Sequence, residues 1–172
     1  ARRHAEDLHR RREAESPWVR LARFSLESFV RGGRRVDPAR DLPDDLAAAL
    51  PGELTSTRAG AFVSLRKDGR LRGCIGTVLP VRGTLAAEIC ANAVSAGCRD
   101  PRFDPVGEDE LDELVYDVDV LSEPEDVEGP GQLDPARYGV IVTCGDRRGL
   151  LLPDLDGVDT VEEQVRIAAH KG

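Results

Sequence analysis

Methionine is absent from this 172-residue chain, tryptophan occurs once, and aromatic residues make up only 4% of it. Aliphatic Leu, Val, Ile and Ala must therefore fill the core. No run of about 18 apolar residues occurs and nothing resembles a signal peptide, so the sequence predicts no membrane-spanning helix and argues against export. These absences favour a cytoplasmic protein with one domain or two small ones.

Residue types that build common catalytic and metal sites are scarce. The four cysteines form no Cys-x-x-Cys pair, and the histidines His4, His9 and His170 lie near the two ends of the sequence. We therefore expect no structural zinc site. Phosphate-binding glycine loops, a dinucleotide fingerprint and a Ser-His-Asp set are also missing, which argues against kinases, Rossmann dehydrogenases and hydrolases. The sequence leaves any cofactor open, and only a carboxylate is an internal candidate for a general base.

Charge is distributed unevenly along the chain, whose net charge is -8. Residues 1–40 hold eleven Arg against six acidic residues, whereas residues 100–163 hold twenty acidic residues against four Arg. The acidic half would repel a phosphate backbone, so we do not expect nucleic acid as its partner. Nucleic-acid binding through the basic first 40 residues is a weaker alternative.

The order of predicted elements favours an α+β fold with a largely antiparallel sheet flanked by helices. Residues 1–15 are charged and lack an apolar stripe, which predicts a linker or disordered extension before a domain over residues 16–172. Ser16 can cap a helix that ends at Gly32–Gly33, and Thr84 begins an Ala-rich helix that runs to about Gly97. The other predicted elements are a short helix over 43–50, a short acidic helix over 108–113, a strand over 114–120, a second hairpin around 145–148 and a last helix from 160.

The dipeptide Asp68–Gly69 lies between two strand-like segments, AFVSLRK and RLRGCIGTV, and predicts a type I′ hairpin. A regular hairpin around this turn pairs Val63 with Cys74 and Leu65 with Arg72. Because cross-strand partners share a face, these four residues are expected on one face of the sheet. Both faces carry apolar residues, which indicates a hairpin inside a larger sheet.

Two glycines, Gly73 and Gly76, bracket Cys74 inside the second segment. Glycine weakens a strand, which suggests a bulge or the close approach of another backbone or a ligand. Arg72 should lie on the face of Cys74, where its charge would favour the nucleophilic thiolate. Cys74 is then a candidate catalytic residue, with Arg72, Gly73 and Gly76 as candidate ligand contacts. The alternative is that Cys74 packs as a small hydrophobe and Arg72 pairs with an acid.

A second candidate site lies in the loop Asp100-Pro101-Arg102-Phe103. Arg102 offers a bidentate fork to an anion, and residues held on such loops are often functional. Asp100, Arg102 and Phe103 are therefore candidate ligand contacts, as is Asn92 on the Ala-rich helix. Alternatively, Asp100 forms an Asx turn, Phe103 fills the core and Asn92 is a polar residue that the packing tolerates.

Asp117 and Asp119 share one face of the predicted strand over residues 114–120, about 7 Å apart. That spacing suits two-carboxylate catalysis or a divalent ion. The alternation of polar and apolar residues more simply indicates the solvated face of an edge strand.

Several blocks of the sequence, in order, resemble the AMMECR-type domain, named for the human Alport syndrome, midface hypoplasia and elliptocytosis chromosomal region. The blocks run from about Val19 to Lys171 and are VRLARFSLESFV, AGAFVSL, LRGCIGT, DPRF, LVYDVDVLSEPE, YGVIVTCGDRRGLLLPDL and DTVEEQVRIAAHKG. In prokaryotes the domain is similar to component A of the AmmeMemoRadiSam system. The resemblance implies an α+β fold of two subdomains with a cleft between them, and a functional centre at LRGCIGT.

The resemblance also implies partners. These are a Memo-type protein, similar to extradiol dioxygenases, and a radical S-adenosylmethionine protein, sometimes as fused domains. No reaction is implied. Relatives usually add a short C-terminal segment with a terminal strand, so a further segment is expected after Gly172. At Cys98 they more often carry an aromatic or aliphatic residue, which argues against a shared role for that thiol.

Two classes of function follow. In the first, the chain is a small-molecule enzyme or ligand-binding protein that uses Cys74, with Arg72 and Arg102 binding an anion. In the second, it is a non-catalytic adaptor or protein-interaction module that uses the same cleft. A functional Cys74 is expected to react with alkylating reagents faster than Cys90 and Cys144, which we expect to be sheltered.

Overall fold

The computed structural model describes residues 2–155 and 157–171, and the chain divides into two compact units, residues 1–123 and 124–172. In chain order the first unit contains α1 (Arg2–Glu13), α2 (Pro17–Gly32), α3 (Asp44–Ala49), α4 (Gly52–Ser56), β1 (Ala61–Lys67), β2 (Arg70–Thr77), α5 (Leu85–Cys98) and β3 (Leu114–Val120). A short 3-10 helix, Glu108–Glu113, precedes β3. Helices combined with antiparallel strands confirm the α+β class, whereas a cleft between subdomains stays a prediction.

The segment at the start of the chain is helical where the structure describes it. Arg12, in the last turn of α1, lies 2.5 Å from a carboxylate oxygen of Glu27 in α2. Glu15, just after α1, binds the guanidinium of buried Arg23. The interpretation of residues 1–15 as a linker or extension stays a prediction.

The caps predicted from the sequence delimit the two long helices of the first unit. At the start of α2 the Ser16 side chain accepts a hydrogen bond from the backbone amide of Val19. Gly33 follows the last residue of α2 and has a left-handed φ of 67°. At the start of α5, the Thr84 hydroxyl oxygen accepts the amide of Ala87 at 3.2 Å. Both predicted helices are confirmed, and together with the sheet they enclose the main core.

Strand β1 is the central strand of an antiparallel sheet with the order β2-β1-β3. Ala61, Val63 and Leu65 of β1 are fully buried in the core that the sheet forms with α2 and α5. The alternating residues Phe62 and Ser64 therefore face away from that core. The hairpin was predicted to lie inside a larger sheet; this is confirmed for β1, whereas β2 is an edge strand.

The hairpin turns at Asp68–Gly69 as predicted, but its pairing is not regular. A β-bulge between Leu65 and Arg66 leaves Arg72 as an extra residue of β2, so Leu65 pairs with Gly73. The predicted pairing of Leu65 with Arg72 is wrong. Its physical reason is burial: in a regular hairpin the Arg72 guanidinium would lie opposite fully buried Leu65, where an unpaired charge is costly.

The bulge also changes the face that Cys74 occupies. Cys74 pairs with Ser64, whereas Val63 pairs with Ile75. The predicted pairing of Cys74 with Val63, which the structure buries in the core, is therefore wrong. We call the opposite surface the outward face; on it lie Phe62, Ser64 and Arg66 of β1, Leu71, Cys74 and Gly76 of β2, and Val115, Asp117 and Asp119 of β3.

The second unit, described by itself, is built from a hairpin and a helix. It contains a 3-10 helix (Pro130–Gln132), β4 (Val140–Cys144), β5 (Arg147–Leu151) and α6 (Val161–Lys171). Val140, Leu151 and Ala168 form its core. The predicted second hairpin and last helix are confirmed. Across the described residues, no helix combines the length and the apolar character that crossing a membrane requires.

Candidate functional site on the outward face of the sheet

One row of the outward face brings together a thiol, a hydroxyl and a carboxylate. Ser64 of β1 pairs with Cys74 on one side and with Asp117 on the other. The Ser64 hydroxyl donates a hydrogen bond to the Cys74 sulfur, with Oγ and Sγ 3.2 Å apart. Cys74 is partly exposed, and Asp117 Oδ2 also lies 3.9 Å from Arg66 Nε.

The neighbouring row consists of Gly76, Phe62 and Asp119. A side chain at Gly76 would overlap the ring of Phe62, so the aromatic ring covers the strand at that point. Burial raises the pKa of the Asp119 carboxyl, and the charge of Asp117 adds to the effect. The described residues contain no cluster of three or more His, Cys, Asp or Glu side chains suited to a metal ion.

The loop after α5 binds the free edge of β2 at Cys74. Asp100 Oδ2 accepts the backbone amide of Cys74 at 2.9 Å, and Arg102 Nη2 donates to the carbonyl of Cys74 at 3.2 Å. These two side chains supply the acceptor and the donor that a neighbouring strand would supply. The two segments that the sequence singled out therefore meet at one residue.

Asp100 and Arg102 also bind each other, with Nε to Oδ1 at 2.9 Å and Nη2 to Oδ2 at 2.7 Å. The hydrogen bonds from Arg102, aided by the Cys74 amide, hold the pKa of the Asp100 carboxyl well below its usual range. The Asp100 side chain is 2% exposed, whereas that of Arg102 is 55% exposed. Arg102 also lies 5.5 Å from the ring of Phe103. Asp100 is thus a buried charge, while Arg102 still faces solvent.

Arg72, the extra residue of the bulge, binds Glu110 of the 3-10 helix. Nε and Nη2 lie 3.0 and 2.8 Å from the two carboxylate oxygens, and Nη1 donates to the carbonyl of Asp104 at 3.0 Å. This bidentate hydrogen bond lowers the pKa of Glu110 to about 2. An anionic ligand would have to compete with Glu110 for Arg72.

Gly73 and Asn92 lie on the core side of the sheet. A Cβ atom at Gly73 would overlap the carbonyl oxygen of Ala96 in α5, so the backbone that approaches this glycine is that of a helix. Asn92 is buried, and its Nδ2 donates to the carbonyl of Ala61 at 2.8 Å and to the Thr77 hydroxyl at 3.1 Å. Both residues hold α5 against the strands.

Sequence reasoning gave no role to Glu88, a buried carboxylate of α5. Its Oε1 accepts the Thr77 hydroxyl at 2.6 Å, and its Oε2 accepts the amides of Val81 and Arg82 at 2.9 and 2.7 Å. Glu88 thereby fixes the loop that follows β2. The sequence did contain one signal for this role, because Glu88 is the single acidic residue of α5 and lies among Ala, Ile and Cys. Ser64 gave no such signal, because the regular hairpin register separates it from Cys74. Glu110 gave none either, because its partner Arg72 is distant in the sequence.

The other cysteines differ from Cys74 in their surroundings. Cys90 is buried, and burial raises its pKa to about 12. Cys98 is partly buried, and burial raises its pKa as well. Cys144 is exposed, so the expectation that it is sheltered is wrong; it ends β4 directly before the turn at Gly145.

Comparison with known proteins identifies the family. A Thermotoga maritima protein is 54% identical over 158 residues, which cover 91% of this chain and 86% of that protein. A Clostridium acetobutylicum protein is 46% identical over 166 residues, which cover 96% of this chain but only 34% of that protein. A crystal structure of an uncharacterized protein from Pyrococcus horikoshii matches with a TM-score of 0.78 and 34% identity, over 91% of this chain and 80% of that one.

A family model described as AMMECR1 matches residues 19–172. This match covers nearly the whole chain, and it confirms the resemblance carried by the sequence blocks from Val19 onward. The relatives from bacteria and archaea agree with it in sequence, and the archaeal crystal structure agrees in fold. The chain belongs to the AMMECR1 family.

Proposed function

We propose that the protein is a small-molecule enzyme or ligand-binding protein whose site lies on the outward face at Cys74. The observation that supports this most is the bulge in β2, which pairs Cys74 with Ser64 instead of Val63. A packing role opposite Val63 is thereby removed. The thiol is partly exposed, lies on the face opposite the core and accepts a hydrogen bond from a hydroxyl.

The ligand we propose is a small anion, and Arg102 is its cationic contact. Asp100 and the carbonyl of Cys74 engage Nε and Nη2 of Arg102. Within the described part of the chain Nη1 has no hydrogen-bond partner, and the side chain is 55% exposed. A guanidinium can therefore bind an anion next to Cys74 without giving up its contacts with the fold.

In this proposal the Cys74 sulfur either holds the ligand in place or displaces a leaving group from an electrophilic carbon of the ligand. In that displacement a sulfur–carbon bond forms, the bond from carbon to the leaving group breaks, and the thiol proton goes to solvent. Ser64 orients the sulfur through its hydrogen bond. Gly76 and Phe62 form the adjoining surface, where the aromatic ring offers an apolar contact to the rest of the ligand.

We further propose that the protein works with a Memo-type protein and a radical S-adenosylmethionine protein, in the cytoplasm. The family resemblance supports these partners. The clostridial relative adds support, because this chain matches only 34% of it and such a domain therefore occurs within longer proteins. The four cysteines are free, which suits a reducing compartment.

The alternative is a non-catalytic adaptor or protein-interaction module that uses the same face. It is favoured by the extent to which charges near Cys74 bind each other. Glu110 engages Arg72 through two hydrogen bonds, and Asp100 engages Arg102 in the same way. Fewer charges are then left for a ligand.

Two alkylating reagents that differ mainly in charge test the proposal, namely iodoacetate and neutral iodoacetamide. Each forms a bond between the Cys74 sulfur and a methylene carbon and releases iodide. The ratio of the two rates at Cys74, followed by peptide mass spectrometry, measures how strongly the site favours an anion. We expect Arg102→Gln to lower this ratio by about threefold, the effect of one nearby surface charge.

The matched control is Arg99→Gln, which removes an exposed arginine from the same loop and should leave the ratio unchanged. In the unmodified protein Cys74 should also react faster than buried Cys90. An equal ratio in the parent protein and in both variants would contradict an anion site at Cys74. The adaptor would then be the better conclusion.

A further inference from the structure

We infer that Asp100 is a positioning residue that holds Cys74 and Arg102 in one fixed arrangement. Its importance for ligand chemistry rests on the proposed function of Cys74, but the arrangement itself does not. The sequence suggested Asp100 as a ligand contact, and the contacts of its carboxylate assign it a different role.

The carboxylate of Asp100 has no acceptor site left for a ligand. A carboxylate has about four lone-pair positions. Oδ1 accepts the backbone amide and Nε of Arg102 at 3.1 and 2.9 Å. Oδ2 accepts the amide of Cys74 at 2.9 Å and Nη2 of Arg102 at 2.7 Å. With its side chain 2% exposed, Asp100 acts through these two residues only.

The three residues form a closed ring of hydrogen bonds. Cys74 donates its amide to Asp100, Arg102 donates its guanidinium to Asp100, and Arg102 also donates to the carbonyl of Cys74. Each residue thus holds the other two. The backbone that carries the thiol and the guanidinium that faces solvent keep one relative position.

The ring also explains why Asp100 stays ionised although it is buried. A buried carboxylate is stable only when charge-assisted hydrogen bonds replace its water. Arg102 supplies them, and the Asp100 hydrogen bond in turn raises the pKa of Arg102, with a smaller contribution from Cys74. Loss of the Asp100 charge would free Arg102 and leave the edge of β2 at Cys74 with a weaker acceptor.

The test is Asp100→Asn, which keeps the size of the side chain and removes its charge. The readout is the rate of iodoacetamide alkylation at Cys74 between about pH 6 and pH 9. We expect the rate at neutral pH to rise by roughly threefold, because a nearby negative charge is lost and a cation is released. Asp104→Asn, an exposed aspartate in the same loop, is the matched control and should behave like the parent protein.

Buried Cys90 serves as an internal reporter of the fold in the same samples. If Asp100→Asn unmasks Cys90 to the same extent as Cys74, Asp100 only stabilises the fold and the inference is overturned. An unchanged rate and pH profile at Cys74 overturns it too. The neutral reagent makes this outcome independent of the anion preference that tests the proposed function.

A second test of the ring is Arg102→Lys, which changes its solvent-exposed member. Lysine keeps the charge but lacks the planar fork that binds both carboxylate oxygens. We expect Arg102→Lys to slow Cys74 alkylation, because the charge of Asp100 stays beside the thiol but is less well compensated. The double variant should depart clearly from the product of the two single effects, since one ring is lost only once. Independent, multiplying effects would contradict a shared ring.

Discussion

At Gly73 the strand β2 lies directly against the backbone of helix α5. A Cβ atom there would overlap the carbonyl oxygen of Ala96, and a helix backbone cannot yield easily. We expect Gly73→Ala to lower the free energy of unfolding by about 2 kcal/mol, as overpacking of a core does. Urea unfolding measures this. Gly83→Ala is the control, since nothing lies within 4 Å of a Cβ at that position. An unchanged urea midpoint for Gly73→Ala would show that the two elements can move apart freely.

Single residues were predicted as well as their local sequence allowed. The unusual composition of the segment 71–77 singled out Cys74 and its two glycines, and their role in a site stays a prediction. A Cβ atom at either glycine would overlap a neighbouring group. Ser64 was not identified as a neighbour of Cys74, because the regular hairpin register places the two on opposite faces. Asp117 was noted only for its spacing from Asp119, because β3, which brings it beside Ser64, is distant in the sequence. Glu110 was not identified as the partner of Arg72 for the same reason.

At the scale of elements, the helix caps and the hairpin turn were predicted correctly from local sequence, whereas the register of the hairpin strands was not. The caps of α2 and α5 depend on residues within one turn of the helix end, so the sequence contains them. The turn at Asp68–Gly69 is equally local. The bulge is different, because it depends on what β2 must bury against α5 and on an acid in the 3-10 helix that binds Arg72.

The ion pair at the bulge gives the hairpin a dependence on pH. Arg72 lowers the pKa of Glu110 from an ordinary value of 4.5 to about 2. A carboxyl whose pKa is lowered by folding stabilises the native state fully above its ordinary pKa, and this stabilisation is lost as the pH falls towards the lowered value. We therefore expect the free energy of unfolding to fall between about pH 6 and pH 3, and less steeply in Glu110→Gln.

Urea unfolding at the two pH values measures this difference. Glu108→Gln, at an exposed position of the same 3-10 helix, should keep the steeper pH dependence of the parent protein. If Glu110→Gln loses as much stability on acidification as the parent protein, the Arg72 ion pair does not stabilise the bulge.

At the scale of the whole molecule, the basic start of the chain is largely neutralised by ion pairs. Within the described residues these pairs include Arg10 and Arg11 with Asp7, Arg12 with Glu27, Arg20 with Asp45, Arg23 with Glu15, and Arg31 with Glu27. Phosphate groups would have to compete with carboxylates for these guanidinium groups. The net charge of -8 adds a general repulsion.

We therefore expect no binding to nucleic acid. Fluorescence anisotropy of labelled single-stranded RNA and duplex DNA, measured at low ionic strength, should stay at the value of the free probe. Binding that weakens steeply with added salt would contradict this, because such a slope is the signature of phosphate contacts. A protein with a known basic binding surface is the positive control.

The extra residue in β2 reverses the odd and even order of the positions that follow it. Before the bulge, odd-numbered Leu71 belongs to the outward face; after it, even-numbered Cys74 and Gly76 do. A spectroscopic label introduced at Cys74 therefore reports on the outward face, and one at Ile75 reports on the core side. Anyone who selects labelling sites by counting from the hairpin turn would interpret each signal as coming from the opposite side of the sheet.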